Sequence, residues 1–145
     1  MTQIDTENQN PAYLCGRLFA VLESIQARAI PHAGATIVDR FFGTASSAPA
    51  SVFGLLLSRA QAHLGKLRRE RRGSYVSLQQ KLEEIQVKLS SFPKTLSLEG
   101  QGFFSLGYYH QRAYDRAGAA EYLQAKKESD NDQDLNDSEG GENNE

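Results

Sequence analysis

Residues 49–72 read PASVFGLLLSRAQAHLGKLRRERR, and this stretch decides the fold class. Phe53, Leu56, Leu57, Ala60, Leu64 and Leu67 recur at three- and four-residue spacing. That spacing gathers them on one apolar stripe of a helix. Arg59, Lys66 and Arg69 fall on the other side at about 100° per residue. One helix therefore offers a core face, which needs partner helices, and a cationic face, which needs water, carboxylates or phosphates. The plainest account of the second face is a solvated Lys/Arg surface.

Outward from this helix the chain keeps the same period. Asn10-Pro11 reads as a helix start, with Asn as N-cap and Pro in the first turn. The helix runs to about Ala29, with Leu14, Leu18, Val21, Leu22, Ile25 and Ala29 on one face, Cys15 at its border and Gly16 off it. Thr36 caps a short helix closed by Gly43. The central helix ends near Glu70, Arg71 and Gly73 make a basic corner, and Ser74 opens the next helix. Tyr75, Leu78, Leu82, Ile85 and Leu89 form its stripe, and Glu84 and Lys88 make an i,i+4 pair. Phe92-Pro93 ends it. A last helix begins near Leu98, with Phe103, Leu106, Gly107, His110, Ala113 and Tyr114 on one face. Gly102 and Gly107 each lower helix propensity by about 1 kcal/mol relative to Ala, so a close helix–helix approach is the expected reason for both. No β-period stretch appears. The expected fold is an all-α bundle of about five helices over residues 10–127, between a flexible arm at 1–9 and a disordered acidic tail at 128–145.

Composition adds a charge asymmetry. The 145 residues hold 16 basic and 18 acidic side chains, a formal net charge of −2. Eight of the acids lie in residues 128–145, which contain no base, so residues 1–127 carry a surplus of six positive charges. A cationic body points to a polyanionic partner. The single cysteine, Cys15, excludes an intramolecular disulfide, and a cytoplasmic setting is expected. No run of eighteen apolar residues exists to cross a membrane, and the polar, acidic N-terminus is the reverse of a signal peptide.

Catalytic signals are poor. Three histidines and one cysteine supply no HExxH, no ExxH and no zinc set of the usual Cys/His type. There is no P-loop, GxGxxG or GxSxG. Glu83 and Glu84 are adjacent, so on a helix they point apart. Cys15 reads as a core thiol and His110 as a core histidine. The expectation is a chain without enzymatic activity, metal or cofactor. The basic residues are the better signal. Arg59, Lys66, Arg68, Arg69, Arg71, Arg72, Arg112 and Arg116 are candidates for phosphate contact, with Tyr108 and Tyr109 placed to stack bases beside Arg112. No recognition-helix or zinc-finger pattern argues for reading base edges, so contact with the backbone is expected.

Three segments carry a family resemblance: NPAYLCGRLFAVLESIQ (Asn10–Gln26), TIVDRFFGTASSAPASVFGLLL (Thr36–Leu57) and LSLEGQGFFSLGYYHQR (Leu96–Arg112). They resemble the C-terminal helical domain of the type I-C CRISPR large subunit. A free-standing chain of this extent resembles the small subunit of type I-C Cascade, which in that family is translated from an internal start within the large-subunit gene. The resemblance covers roughly residues 10–116 and leaves the acidic tail outside. It implies a non-catalytic helical bundle present in more than one copy, beside backbone and large subunits and guide RNA. Such copies help hold the displaced strand of the target DNA and stabilise the R-loop, while a separately recruited helicase–nuclease cuts. Two other functions stay open on the residues alone. One is a helical protein–protein adaptor without nucleic-acid contact; the other is a small helical enzyme, for which a ligand or acid–base site would have to exist.

Overall fold

The computed structural model describes residues 3–139, with side chains through Leu135. Among the described residues the chain forms five α-helices and one short 3-10 turn, with no strand. They are α1 (Pro11–Ala29), α2 (Ile37–Ser47), the 3-10 turn Pro49–Ser51, α3 (Phe53–Glu70), α4 (Arg72–Gln86) and α5 (Leu98–Glu139). The all-α expectation holds.

The helix at the centre is α1, and not α3, whose stripe is the plainest in the sequence. Asn10 starts α1 by accepting the Ala12 N–H through its side chain at 2.9 Å, with Pro11 in the first turn. Every residue from Ala12 to Leu22 is buried, Gly16 and Arg17 included. The sequence shows one apolar stripe on α1, but α2, α3, α4 and α5 all pack against it. A helix enclosed on all sides needs small and satisfied polar residues as well as large apolar ones.

Two glycines set the closest contact. A Cβ placed on Gly16 would lie 1.9 Å from the Phe104 carbonyl oxygen, and one on Gly107 would lie 2.1 Å from that of Tyr13. The backbones of α1 and α5 therefore touch directly, and both atoms in the way are main-chain atoms that no rotamer change can move. Gly107 has the role expected of it. Gly102 does not: nothing lies within 4 Å of its would-be Cβ. Gly16, read as lying off the core stripe, is the reciprocal half of the contact.

This approach also corrects the buried face of α5. The buried residues are Phe104, Gly107, Tyr108 and Gln111, whereas the sequence reading groups Phe103, Leu106, Gly107, His110, Ala113 and Tyr114. Leu106 and Tyr114 are exposed, and His110 is half-buried, its Nδ1 2.9 Å from the Tyr13 hydroxyl. Gly107 sits in the middle of the buried arc because contact there is backbone to backbone. The exposed Leu106 and Tyr114 bias a reading by hydrophobicity alone.

Around the contact lies an aromatic layer. The Phe19 ring is within 5.8–6.4 Å of the rings of Phe42, Phe53, Phe104 and Tyr108, edge to face with the first two and tilted against the other two; ring quadrupoles favour such arrangements over a face-to-face sandwich. Phe53 stacks on Phe92 at 4.8 Å. The link between α4 and α5 is pinned nearby: Ala50 N–H donates to Pro93 O at 2.9 Å and Leu96 N–H to Ser47 O at 2.8 Å.

Other boundaries differ in ways with local causes. Thr36 and Asp39 form a reciprocal capping box as α2 begins. However, α2 passes through Gly43 to Ser47, with the Ser46 and Ser47 hydroxyls donating to Gly43 O. The break between α3 and α4 is the single residue Arg71, at φ −144° and ψ 73°, and Gly73 lies inside α4. Glu84 and Lys88 do not pair; Glu84 faces Arg17 and Lys88 Nζ donates to Thr6 O at 2.7 Å. The described part of the N-terminal arm is tied down by that bond and by Asp5 N–H donating to the Tyr13 hydroxyl at 3.0 Å. Residues 1–2 lie outside the described residues. The acidic stretch expected as a separate tail from 128 continues α5 as far as Glu139, and every residue from Arg116 to Leu135 is exposed. Residues 140–145 lie outside the described residues.

The glycine contact makes a paired prediction. Gly107→Ala removes about 1 kcal/mol of helix penalty but forces the two backbones apart, at a cost of about 1–3 kcal/mol, so it should lower the melting temperature. Gly102→Ala gains the same propensity in open space and should raise it. Thermal melts of the two variants check this; a Gly107→Ala protein as stable as Gly102→Ala would contradict the packing.

Candidate nucleic-acid interface

The eight candidate cations separate into free and engaged groups. Arg68 and Arg69 end α3, Arg71 is the break, and Arg72 begins α4; all four are exposed. With Glu70 between them this corner carries a net charge of +3 over five residues. None of the four is in an ion pair among the described residues. Arg68 leans over the Tyr75 ring at 6.0 Å, which leaves the edge of its guanidinium open to a further acceptor.

The corner also contains an uncapped helix start, as α3 does at Val52. Arg71 is the N-cap of α4, no side chain caps it, and the first turn holds no acid. The opening N–H groups of a helix lack intrahelical acceptors and carry the positive end of its dipole. Gly73 has nothing within 4 Å of its would-be Cβ, so the backbone there is open to approach. Arginines at the positive end of a helix repel it, and an oxyanion at the corner would relieve both.

The remaining candidates are less available. Arg59 is exposed over the Phe41 ring at 5.6 Å. Lys66 Nζ donates to Ala29 O at 2.9 Å, completing one of the last carbonyls of α1. Arg112 is held by Glu23 at 3.6 Å and donates to the Tyr108 hydroxyl at 3.2 Å. Arg116 is exposed on α5. Tyr108 is 2% exposed and its hydroxyl donates to Glu23, so it is a core residue and not a stacking platform. Burial and the Glu23 carboxylate push its phenol well above the ordinary range. Tyr109, 61% exposed, keeps an open ring. The surface left for a polyanion is the Arg68–Arg72 corner with Arg59 on the same helix, and separately Tyr109 and Arg116 on α5.

A family model described as CRISPR-associated protein (Cas_Csd1) matches residues 1–114. The chain belongs to the Csd1 family. This is a type I-C CRISPR family, so the resemblance drawn from the three quoted segments is borne out at the family level. No curated protein matches the chain significantly. The matched span of this Csd1-family chain takes in all of the packed bundle and stops in α5 just before its exposed half begins.

Other chemistry is sparse. Among the described residues no group of three or more His, Cys, Asp or Glu side chains is placed to hold a metal ion, and no helix is long and apolar enough to cross a membrane. Burial pushes the Cys15 thiol up to about 12, so it stays protonated and acts as a core residue. What the sequence missed is Arg17, buried at 2% exposure between Leu14 and Leu18. No local pattern marks it, because its burial follows from the packing of four other helices around α1.

His63 sits one turn from both Arg59 and Lys66. Partial burial first, then Lys66 and Arg59, lower its pKa. Its folded value is therefore below the unfolded one, and the unfolded state takes up the proton more readily. Stability should be highest above about pH 6.5 and fall as the solution is acidified through that value. Melting temperatures from about pH 7.5 to about 5 should drop less in His63→Gln than in the parent; parallel curves would contradict it.

Proposed function

We propose that this Csd1-family chain is the non-catalytic small subunit of a type I-C Cascade effector, and that it holds the displaced DNA strand by its phosphate backbone. The observation that carries the reading is the exposed, unpaired arginine corner at the α3–α4 break, with its uncapped helix start. Sequence-neutral contact suits such a partner. Base pairing with the guide RNA supplies sequence, and R-loop formation is a nearly balanced exchange that modest backbone contacts can tip. Arg59, Arg68, Arg69, Arg71 and Arg72 make one phosphate-binding group, and Arg116 with Tyr109 a second. The chain would act in the cytoplasm beside backbone and large subunits, in more than one copy.

A second reading, a protein adaptor without DNA contact, draws support from the exposed apolar side of α5, where Leu106, Tyr109 and Leu123 are all solvent-facing.

Replacing Arg68, Arg69, Arg71 and Arg72 together by Gln separates the two. These side chains are exposed, so the melting temperature and incorporation into the effector should be unchanged. R-loop yield should fall similarly on every target, and the log–log salt slope should flatten by roughly 0.7 for each phosphate no longer neutralised. Failed incorporation with normal R-loops per assembled complex would favour the adaptor; no change in either would overturn the assignment.

A further inference from the structure

Helix α5 has two apolar faces, and the fold covers one of them. Phe104, Gly107, Tyr108 and Gln111 turn towards α1 and are buried. On the side turned away from α1, Leu106, Tyr109, Ala113, Arg116, Ala120 and Leu123 follow one another at alternating steps of three and four residues. That is the spacing of a two-helix seam. Leu106 is 49% exposed, Tyr109 61% and Leu123 56%. The seam begins on the packed half of α5 and runs unbroken into the half beyond Asp115, where residues 116–134 are all exposed. A helix in water is held mainly by packing an apolar face and only weakly by propensity. This outer half therefore needs a partner along the seam. It also lies beyond the span that the family model matches.

Charge selects the partner and its direction. Residues 128–135 hold four acids and no base. Two α5 helices running the same way would set these acids against their own counterparts. Running opposite ways, with Leu106 of one copy facing Leu123 of the other, they carry each acidic stretch across the start of the other α5. The exposed Lys94 and the positive end of the helix dipole lie there. Glu99, the acid of that first turn, comes within one turn of Lys127 of the second copy. In the same register Tyr109 faces Ala120 and Arg116 faces Ala113, so the ring and the long cation each meet a small side chain. Each copy lays the outer half of its α5 along the uncovered face of the other's packed half. The paired span, residues 98–131, is about 50 Å long. A strip one helix wide over that length buries roughly 1,000 Å² across both copies, the low end for a specific interface.

We propose that the outward seam of α5 is a docking surface for a second copy of this chain, with the two helices antiparallel about a two-fold axis near Tyr114. The contact is isologous, the same surface being used by both copies. Three large apolar side chains per copy, with Arg116 inside the seam, make it weak, with a dissociation constant of about 0.1 mM. The seam contains Tyr109 and Arg116 but no residue of the arginine corner, so the proposal does not rest on DNA contact.

Sedimentation equilibrium of the full chain, from about 10 µM to about 1 mM, should show a monomer–dimer equilibrium. Leu123→Glu should abolish the dimer and leave the melting temperature unchanged, because the side chain is exposed. Arg116→Leu should tighten the dimer roughly tenfold, since it removes a charge from the seam. Direction is read by disulfide crosslinking of Leu106→Cys and Leu123→Cys chains; the native Cys15 is fully buried and does not compete. A mixture should crosslink between unlike variants, and neither variant should crosslink to itself. Parent and Arg116→Leu chains that both stay monomeric at the highest concentration overturn the proposal. So does a dimer that survives Leu123→Glu, and so does crosslinking of like variants, which means parallel pairing. A monomeric parent whose Leu123→Glu variant fails to enter the effector assigns the face to a different subunit and overturns it too.

Discussion

The contact between the backbones of α1 and α5 at Gly16 and Gly107 is the constraint from which the rest of the bundle follows. Each glycine lies against a main-chain carbonyl of the other helix, so no side chain of any size fits between them. Close approach of this kind fixes both the separation of the helices and their rotation. With Gly107 turned inward, Phe104, Tyr108 and Gln111 are carried in beside it. Phe104 and Tyr108 then meet Phe19 and Phe42 in the aromatic layer. Gln111 meets Arg17 one turn further along. A single pair of missing side chains thus places the aromatic layer and the buried guanidinium of Arg17.

The surface follows from the same arrangement. Because α1 fills the centre, α3 and α4 lie outside it and bury only the Phe53–Leu67 and Leu78–Ile85 stripes. Among the described residues the arginines at their junction form no ion pair, and they remain in water. Cations nearer the core are drawn into structural work: Lys66 closes the end of α1 and Arg112 balances Glu23 under Tyr108. The division between free and engaged basic residues is therefore a consequence of distance from α1 and not of residue type.

That division also explains what the sequence shows and hides. Stripes on α3 and α4 are legible because each buries one face, and Leu56, Ala60, Leu64, Leu78 and Leu82 lie where periodicity puts them. The caps at Asn10 and Thr36 are legible because they are local. The central place of α1 is not, since full enclosure erases the contrast between faces that periodicity measures. The face of α5 is misread because its tightest contact is made by a residue with no side chain, while Leu106 and Tyr114 point outward. Of the eight candidate cations, sequence alone can place all of them on or beside helices but cannot separate Lys66 from Arg69. Lys66 finds the carbonyl of Ala29, 37 residues away in the chain, and such a partner is set only by tertiary packing.

The most direct test of the functional account is site-specific crosslinking in the assembled effector. A photo-reactive residue is placed at Arg69, in the centre of the arginine corner, and the complex is given a double-stranded target with each strand labelled separately. The account predicts crosslinks to the displaced strand, with similar yield when the target and guide sequences are changed together. Crosslinks confined to neighbouring protein subunits, with none to DNA, would contradict it.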